Sequence, residues 1–146
     1  MTPMAKQLLD AQQSSVYQLV RSPDEVEHAA RDAGLSVFRI DLAHASDKKS
    51  FLAQIAQALH FPNSFGHNWD ALNDSLTDLE WLSANAGYVL MFENADHFWS
   101  SRNREFENAE SVLSSAVEYW KGEGKPFWVL IEVSSKSDCD LPKWPM

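Results

Sequence analysis

The chain has 146 residues, is 45% hydrophobic and 23% charged, and sets 21 acidic against 12 basic residues for a formal net charge of −9. That is the composition of one globular domain rather than of a disordered segment, and a single cysteine, Cys139, excludes an intrachain disulfide or a cysteine-built zinc site. Negative charge of this size repels nucleic-acid phosphates and anionic membrane surfaces, so neither is an expected partner, whereas a basic protein is.

The opening residues, Met1-Thr2-Pro3-Met4-Ala5-Lys6, lack the apolar run of a signal peptide, and residues 1–13 read as a polar, frayed or weakly helical lead. Val16-Tyr17-Gln18-Leu19-Val20 alternates as a short strand. It ends at Arg21-Ser22-Pro23, where Ser22 is placed to cap a helix, Pro23 to start it, and Glu25 to complete a capping box. The helix is predicted from Pro23 to about Ala33, with Val26, Ala29, Ala30 and Ala33 inward, and stops at Gly34 in a left-handed cap. Leu35 to Leu42 is a second alternating strand.

Ser46-Asp47-Lys48-Lys49 opens a helix whose apolar positions Phe51, Leu52, Ile55, Ala56 and Leu59 recur at helical spacing. It must end before Pro62, because the residue preceding a proline disfavours helical dihedrals. A short helix follows from about Asn68 to Thr77. Gly87 to Phe92 is a near-continuous apolar run, as in a strand buried on both faces. Phe106 to about Lys121 is helical, Pro126 to Val133 is the last strand, and the polar tail after Ser134 reads as irregular. No run approaches the roughly 20 apolar residues of a membrane span, and the chain is expected to be soluble and cytoplasmic.

Strands alternate with helices, and no hairpin turn joins two strands. The fold class is therefore α/β, one domain built on a small, mostly parallel sheet of three to four strands packed with helices.

The chemistry is concentrated on the helix 68–77. Trp69, Leu72 and Leu76 make one apolar stripe, while Asp70, Asn73, Asp74 and Thr77 occupy another face at spacings of three and four. Residues 50–101 contain no Lys or Arg, yet hold Asp70, Asp74, Asp78, Glu80, Glu93 and Asp96. Like charges at i,i+4 cost a helix roughly 0.2–0.5 kcal/mol, and a merely solvated face usually mixes both signs. A basic partner would make that cost worthwhile. Asp70 and Asp74 with His60 or His67 could in principle hold a metal or divide acid and base roles. However, the sequence has no His-x-x-x-His, no Gly-rich phosphate loop and no Ser-His-Asp candidate, so neither enzyme activity nor a cofactor or metal is expected.

Phe65-Gly66-His67-Asn68-Trp69-Asp70-Ala71-Leu72, followed by Asp74, Leu76 and Thr77, resembles the signature of the barstar family, intracellular inhibitors of the secreted ribonuclease barnase. Phe51 to Pro62, Ala109-Glu110-Ser111-Val112-Leu113 and Lys121-Gly122-Glu123-Gly124 resemble the family's first helix and its later helix and turn. The resemblance covers about residues 35–134. It leaves 1–34 as an added strand–helix unit and 135–146 as the tail. It implies a barstar-like fold and a partner that is a basic, barnase-like ribonuclease or another basic protein, blocked without chemistry. The helix and the loop before it would plug the active site, with carboxylates standing where RNA phosphates bind.

By position, the resemblance makes Asp70 and Asp74 the central acidic contacts, with Asp74 in the phosphate pocket. Asn73 and Thr77 share their face, Ser64, Phe65 and Gly66 form the preceding loop, and Glu118 is a peripheral contact on a later helix. Two aromatic residues of the family's binding face are replaced here, by Ser64 and Asn73. One extra residue also lies between Glu118 and Gly124. The alternative is a barstar-fold interaction module with a non-ribonuclease partner. In that case Trp99, Trp120 or Trp144 would form an exposed aromatic surface away from Asp74, while Trp69, Trp81 and Trp128 read as core.

Overall fold

A computed structural model of the chain describes residues 2–79, 86–99, 104–134 and 141–145. The N-terminal lead is helical: Thr2 Oγ1 accepts from the Ala5 amide at 3.1 Å, Pro3 takes the first position, and helix α1 spans Pro3–Leu8. Strand β1, Val16–Leu19, leads to α2, Pro23–Asp32. The capping box expected at Ser22 is not made, since Ser22 forms no side-chain cap bond and Glu25 pairs instead with Arg21 at 2.7 Å. Little is lost, because Pro23 has no amide to satisfy and Asp24 and Glu25 already favour the positive end of the helix. Gly34, at φ +82°, ends the helix in the left-handed conformation its position predicts.

Strand β2, Ser36–Asp41, is followed by α3, Lys48–Ala58, which carries a reciprocal cap. Asp47 Oδ1 accepts from the Ser50 amide at 2.9 Å, and Ser50 Oγ accepts from the Asp47 amide at 3.3 Å. The remaining elements are α4 (Trp69–Leu76), β3 (Tyr88–Glu93), α5 (Glu105–Gly122) and β4 (Phe127–Ile131). Within the tail expected to be irregular, Lys143–Trp144 forms a further strand, β5. Trp81 and Cys139 lie outside the described residues.

The five strands form one all-parallel sheet in the order β2-β3-β4-β1-β5, wider than the three to four strands expected. β3 and β4 pair from Tyr88↔Phe127 to Phe92↔Ile131, and β1 enters beside β4 at Val16↔Val129. The N-terminal strand is thus inserted into the sheet between β4 and β5.

Period-two alternation on the central strands sends side chains to two separate cores. Tyr88, Leu90 and Phe92 of β3 and Phe127, Val129 and Ile131 of β4 face α3, α4 and α5. Val89 and Met91 of β3, with Trp128 and Leu130 of β4, face α1 and α2, which bring Ala5, Leu8, Val26, Ala29 and Ala30. Fully burying one such Leu, Val or Met is worth roughly 1.5–3 kcal/mol, so each helix is held mainly by its apolar stripe. Trp99, Trp120 and Trp144 are buried, not exposed.

One ionic cluster ties α2 to β2 and β3. Arg39 on β2 donates through Nη1 to Asp24 at 2.6 Å and Glu27 at 3.0 Å, and through Nε to Glu93 at 3.0 Å.

Candidate partner-binding face

Helix α4 is set down by its buried side. Leu72 and Leu76 are fully buried against α5 and the sheet, and Trp69 is half-buried with its ring against Phe51. Asn68 starts the helix, its Oδ1 accepting from the Ala71 amide at 2.7 Å. Thr77 ends it, its hydroxyl donating to the Asn73 carbonyl at 2.9 Å. With Leu72 and Leu76 fixed inward, helical geometry leaves Asp70, Asp74 and Asp78 exposed and Asn73, Ser75 and Thr77 at intermediate depth. Among the described residues none of these three carboxylates makes an ion pair. A cation beside this helix is Lys48, whose Nζ lies 5.8 Å over the Trp69 ring.

The loop before α4 is tightly turned. Phe65 N donates to the Pro62 carbonyl at 3.0 Å, and the Phe65 ring packs between Phe61 and His67, each 4.8 Å away by centroid. His60 and His67 hold φ of +56° and +52°, and Leu79, just past the helix, holds +52°. Such backbone costs on the order of 1–3 kcal/mol per residue and persists only where its surroundings over-determine it.

Between this loop and the helix lies a groove of about 250 Å³ lined by Pro62, Ser64, Phe65, Gly66, Ala71, Asp74, Ser75 and Asp78. It brings together Ser64, Phe65, Gly66 and Asp74 from the predicted set. Phe65 is only 9% exposed, so its ring forms a wall rather than a projecting contact. Asp70, Asn73 and Thr77 lie on the same helix outside the groove. Glu118 is exposed on α5 and approaches Lys121 at 3.9 Å. It sits two residues before Trp120, whose indole reaches the end of α4. Asp78, Ser75 and Ala71 were not among the residues expected at the site. The signal for them was their spacing from Asp74 along one helical stripe.

No group of three or more His, Cys, Asp or Glu residues among those described could hold a metal ion. Nor, among the described residues, is any helix long and apolar enough to cross a membrane. What the face offers is a rigid, acidic, hydrogen-bonding ridge beside a small groove.

The chain matches the family model described as Barstar (barnase inhibitor) over residues 35–132, and it belongs to that family. A search of curated proteins gives no match. The match begins at the residue before β2, so α1, β1 and α2 lie outside it.

Proposed function

We propose that the chain is a cytoplasmic, non-catalytic inhibitor that binds a basic ribonuclease and occludes its active site with α4 and the loop 62–66. The observation that carries this reading is the set of exposed carboxylates, Asp70 and Asp74, without ion-pair partners among the described residues, on a helix whose other side is fixed in the core. A ribonuclease concentrates positive charge to bind phosphate and stabilise its transition state. A rigid pair of carboxylates one turn apart resembles the ligand that such a site is built to hold. Asp74 stands at the groove and takes the central position, Asp70 flanks it, and Asn73, Thr77, Ser64 and Gly66 supply hydrogen bonds and close backbone approach. Glu118 is a rim contact.

The reading of the chain as an interaction module with a non-ribonuclease partner called for an exposed aromatic surface. Large exposed hydrophobic side chains among the described residues are Leu9, Val20 and Tyr119, and the three tryptophans that could have formed such a surface are buried. No observation favours that reading over inhibition.

The test is an inhibition titration of a barnase-type ribonuclease by the purified chain at low and high salt, with Asp74→Ala as control. Stoichiometric inhibition that weakens with salt and is lost in the variant is the expected result. No inhibition at either salt concentration would overturn the reading.

A further inference from the structure

Helix α4 is poorly stabilised by its own sequence. It has eight residues, Asp70 and Asp74 repel at i,i+4, and its last turn carries Asp74 but no basic residue. Helices this short are marginal in isolation, and negative charge near the C-terminal end opposes the helix dipole. The features that suit the face to a cationic partner are therefore the ones that would fray it.

Two indole N–H groups counter this from inside the protein. Trp120 Nε1, on α5, donates to the carbonyl of Leu76, the last residue of α4, at 2.8 Å, and this bond is buried. That carbonyl belongs to the terminal set an α-helix cannot satisfy within itself. The Trp120 ring is held by Tyr88 at 5.3 Å and lies under Lys125 Nζ at 5.9 Å, so the donor has a fixed direction. At the other end, Trp69 Nε1 on α4 donates to Glu105 Oε2 at the start of α5, at 3.2 Å. The flanking amides of Thr77, Asp78 and Leu79 close onto Asn73 and Ser75, extending the turn that Trp120 pins.

We infer that Trp120, and Trp69 through Glu105, are positioning residues of the binding face, holding the acidic helix by both ends in the conformation a partner meets. The inference rests on the inhibitor reading for its purpose, but the anchoring is measurable in the free protein. A binding-competent conformation that is only partly populated lowers apparent affinity by the fraction populated. Losing an anchor should therefore weaken binding by folded protein without altering any contact residue.

The experiment compares the unaltered chain with Trp120→Phe, Glu105→Gln and Glu105→Ala. It measures amide exchange in the free proteins and affinity for a barnase-type ribonuclease well below each melting temperature. Trp120→Phe keeps a ring and removes the N–H. It should speed exchange at residues 77–79 selectively over the amides of β3 and β4, and weaken binding by about tenfold. Glu105→Gln retains an acceptor for Trp69 and should bind nearly as the unaltered chain does, whereas Glu105→Ala should bind more weakly. Unchanged exchange at 77–79 in Trp120→Phe overturns the inference. So does a lowered melting temperature with undiminished affinity, which would mark a purely structural bond. If the unaltered chain binds no ribonuclease, the inhibitor reading fails alone, and the exchange data still decide the anchoring.

Discussion

The indole Nε1 of Trp128, on the central strand β4, donates to the carbonyl of Leu8 at the end of α1, at 2.8 Å and fully buried. The same ring stacks on Tyr17 of β1 at 5.7 Å and packs against Trp144 of β5 at 5.2 Å. Strand β4 is thus hydrogen-bonded to the end of α1 and packed against β5 through one ring. The N-terminal addition is not an appendage but the cover of one whole side of the sheet.

Trp128→Phe should therefore cost roughly 1–3 kcal/mol, because it strands a buried carbonyl without a donor. A chain beginning at residue 35 should lose solubility, since Val89, Met91, Trp128 and Leu130 would have no α1 and α2 to lie against. Urea unfolding and size-exclusion chromatography would check these. An unchanged urea midpoint in Trp128→Phe would contradict the first, and a soluble, monomeric truncated chain the second.

Glycine substitutions should separate two mechanisms. A Cβ on Gly87 would fall 2.5 Å from the Pro126 carbonyl oxygen and 2.7 Å from its Cγ. That carbonyl also accepts from Tyr88 N at 3.0 Å, so relief would pull β3 from β4. Gly87→Ala should cost about 1–3 kcal/mol or more, because the clash adds to the strain of its φ of +158°. Gly34→Ala meets nothing within 4 Å and should cost about 1–2 kcal/mol from its φ of +82°. The ordering in urea midpoints is the test, and equal losses would argue against the backbone clash.

On the acidic face, stability and binding should move in opposite directions. Asp74→Ala should leave the melting temperature unchanged or raise it slightly, a gain of about 0.2–0.5 kcal/mol, because it removes a like-charged neighbour. The same change should weaken ribonuclease binding by roughly 1.5–3 kcal/mol, the scale of a hydrogen bond to a charged group, and by more than Asp70→Ala does. Calorimetry on the free variants and on their complexes would show it. A large fall in melting temperature would make Asp74 structural.

Acid should weaken the fold in part through Glu27 of the Arg39 cluster, Asp41 at the end of β2 and Asp47 at the start of α3. Hydrogen bonds from Arg31 and then Arg39 hold Glu27 below the ordinary glutamate value. Asn94 and the Ala43 amide do the same for Asp41, and the Ser50 hydroxyl and amide for Asp47. A lowered folded-state value means the unfolded chain binds the proton more readily. The stabilisation is therefore complete above the ordinary carboxylate range and is lost as pH falls through the depressed values. Melting temperature should decline across that acid window, and less steeply in Arg39→Met. A flat profile would refute the linkage.

Much of the fold was legible because its elements carry local signals. Asp47 with Ser50, Asn68 before Trp69 and Gly34 after α2 each mark a helix boundary that the backbone honours. The apolar runs over 88–92 and 127–131 announce strands covered on both faces. Ser22 does stand at the N-cap of α2 and Pro23 does start it, but the capping box was not completed because Glu25 pairs with Arg21, a competition that spacing alone does not reveal. The Thr2-Pro3 cap was present in the sequence, but the polar composition of residues 1–13 masked it.

The position of β1 and the existence of β5 could not be read locally. Two residues carry no pattern, and strand order is set by which open edge a hydrophobic face can reach. At the acidic face, the division between Leu72/Leu76 and Asp70/Asp74 followed from helical periodicity alone. The indole bonds of Trp69 and Trp120 did not, because each joins residues 36 or 44 positions apart.

The sheet order also sets a timetable. Val16–Leu19 leaves the ribosome before β2 and β3, yet its neighbours in the sheet, Phe127–Ile131 and Lys143–Trp144, are made after them. At roughly 5–20 residues per second, on the order of ten seconds separate them. During that interval β2 and β3 can pair as soon as both exist, while Leu19 has α1 and α2 for cover and Val16, on the opposite face, waits for α5. β1 joins the sheet only after β4 exists, so a nascent chain stalled before residue 127 should present β1 unpaired to chaperones.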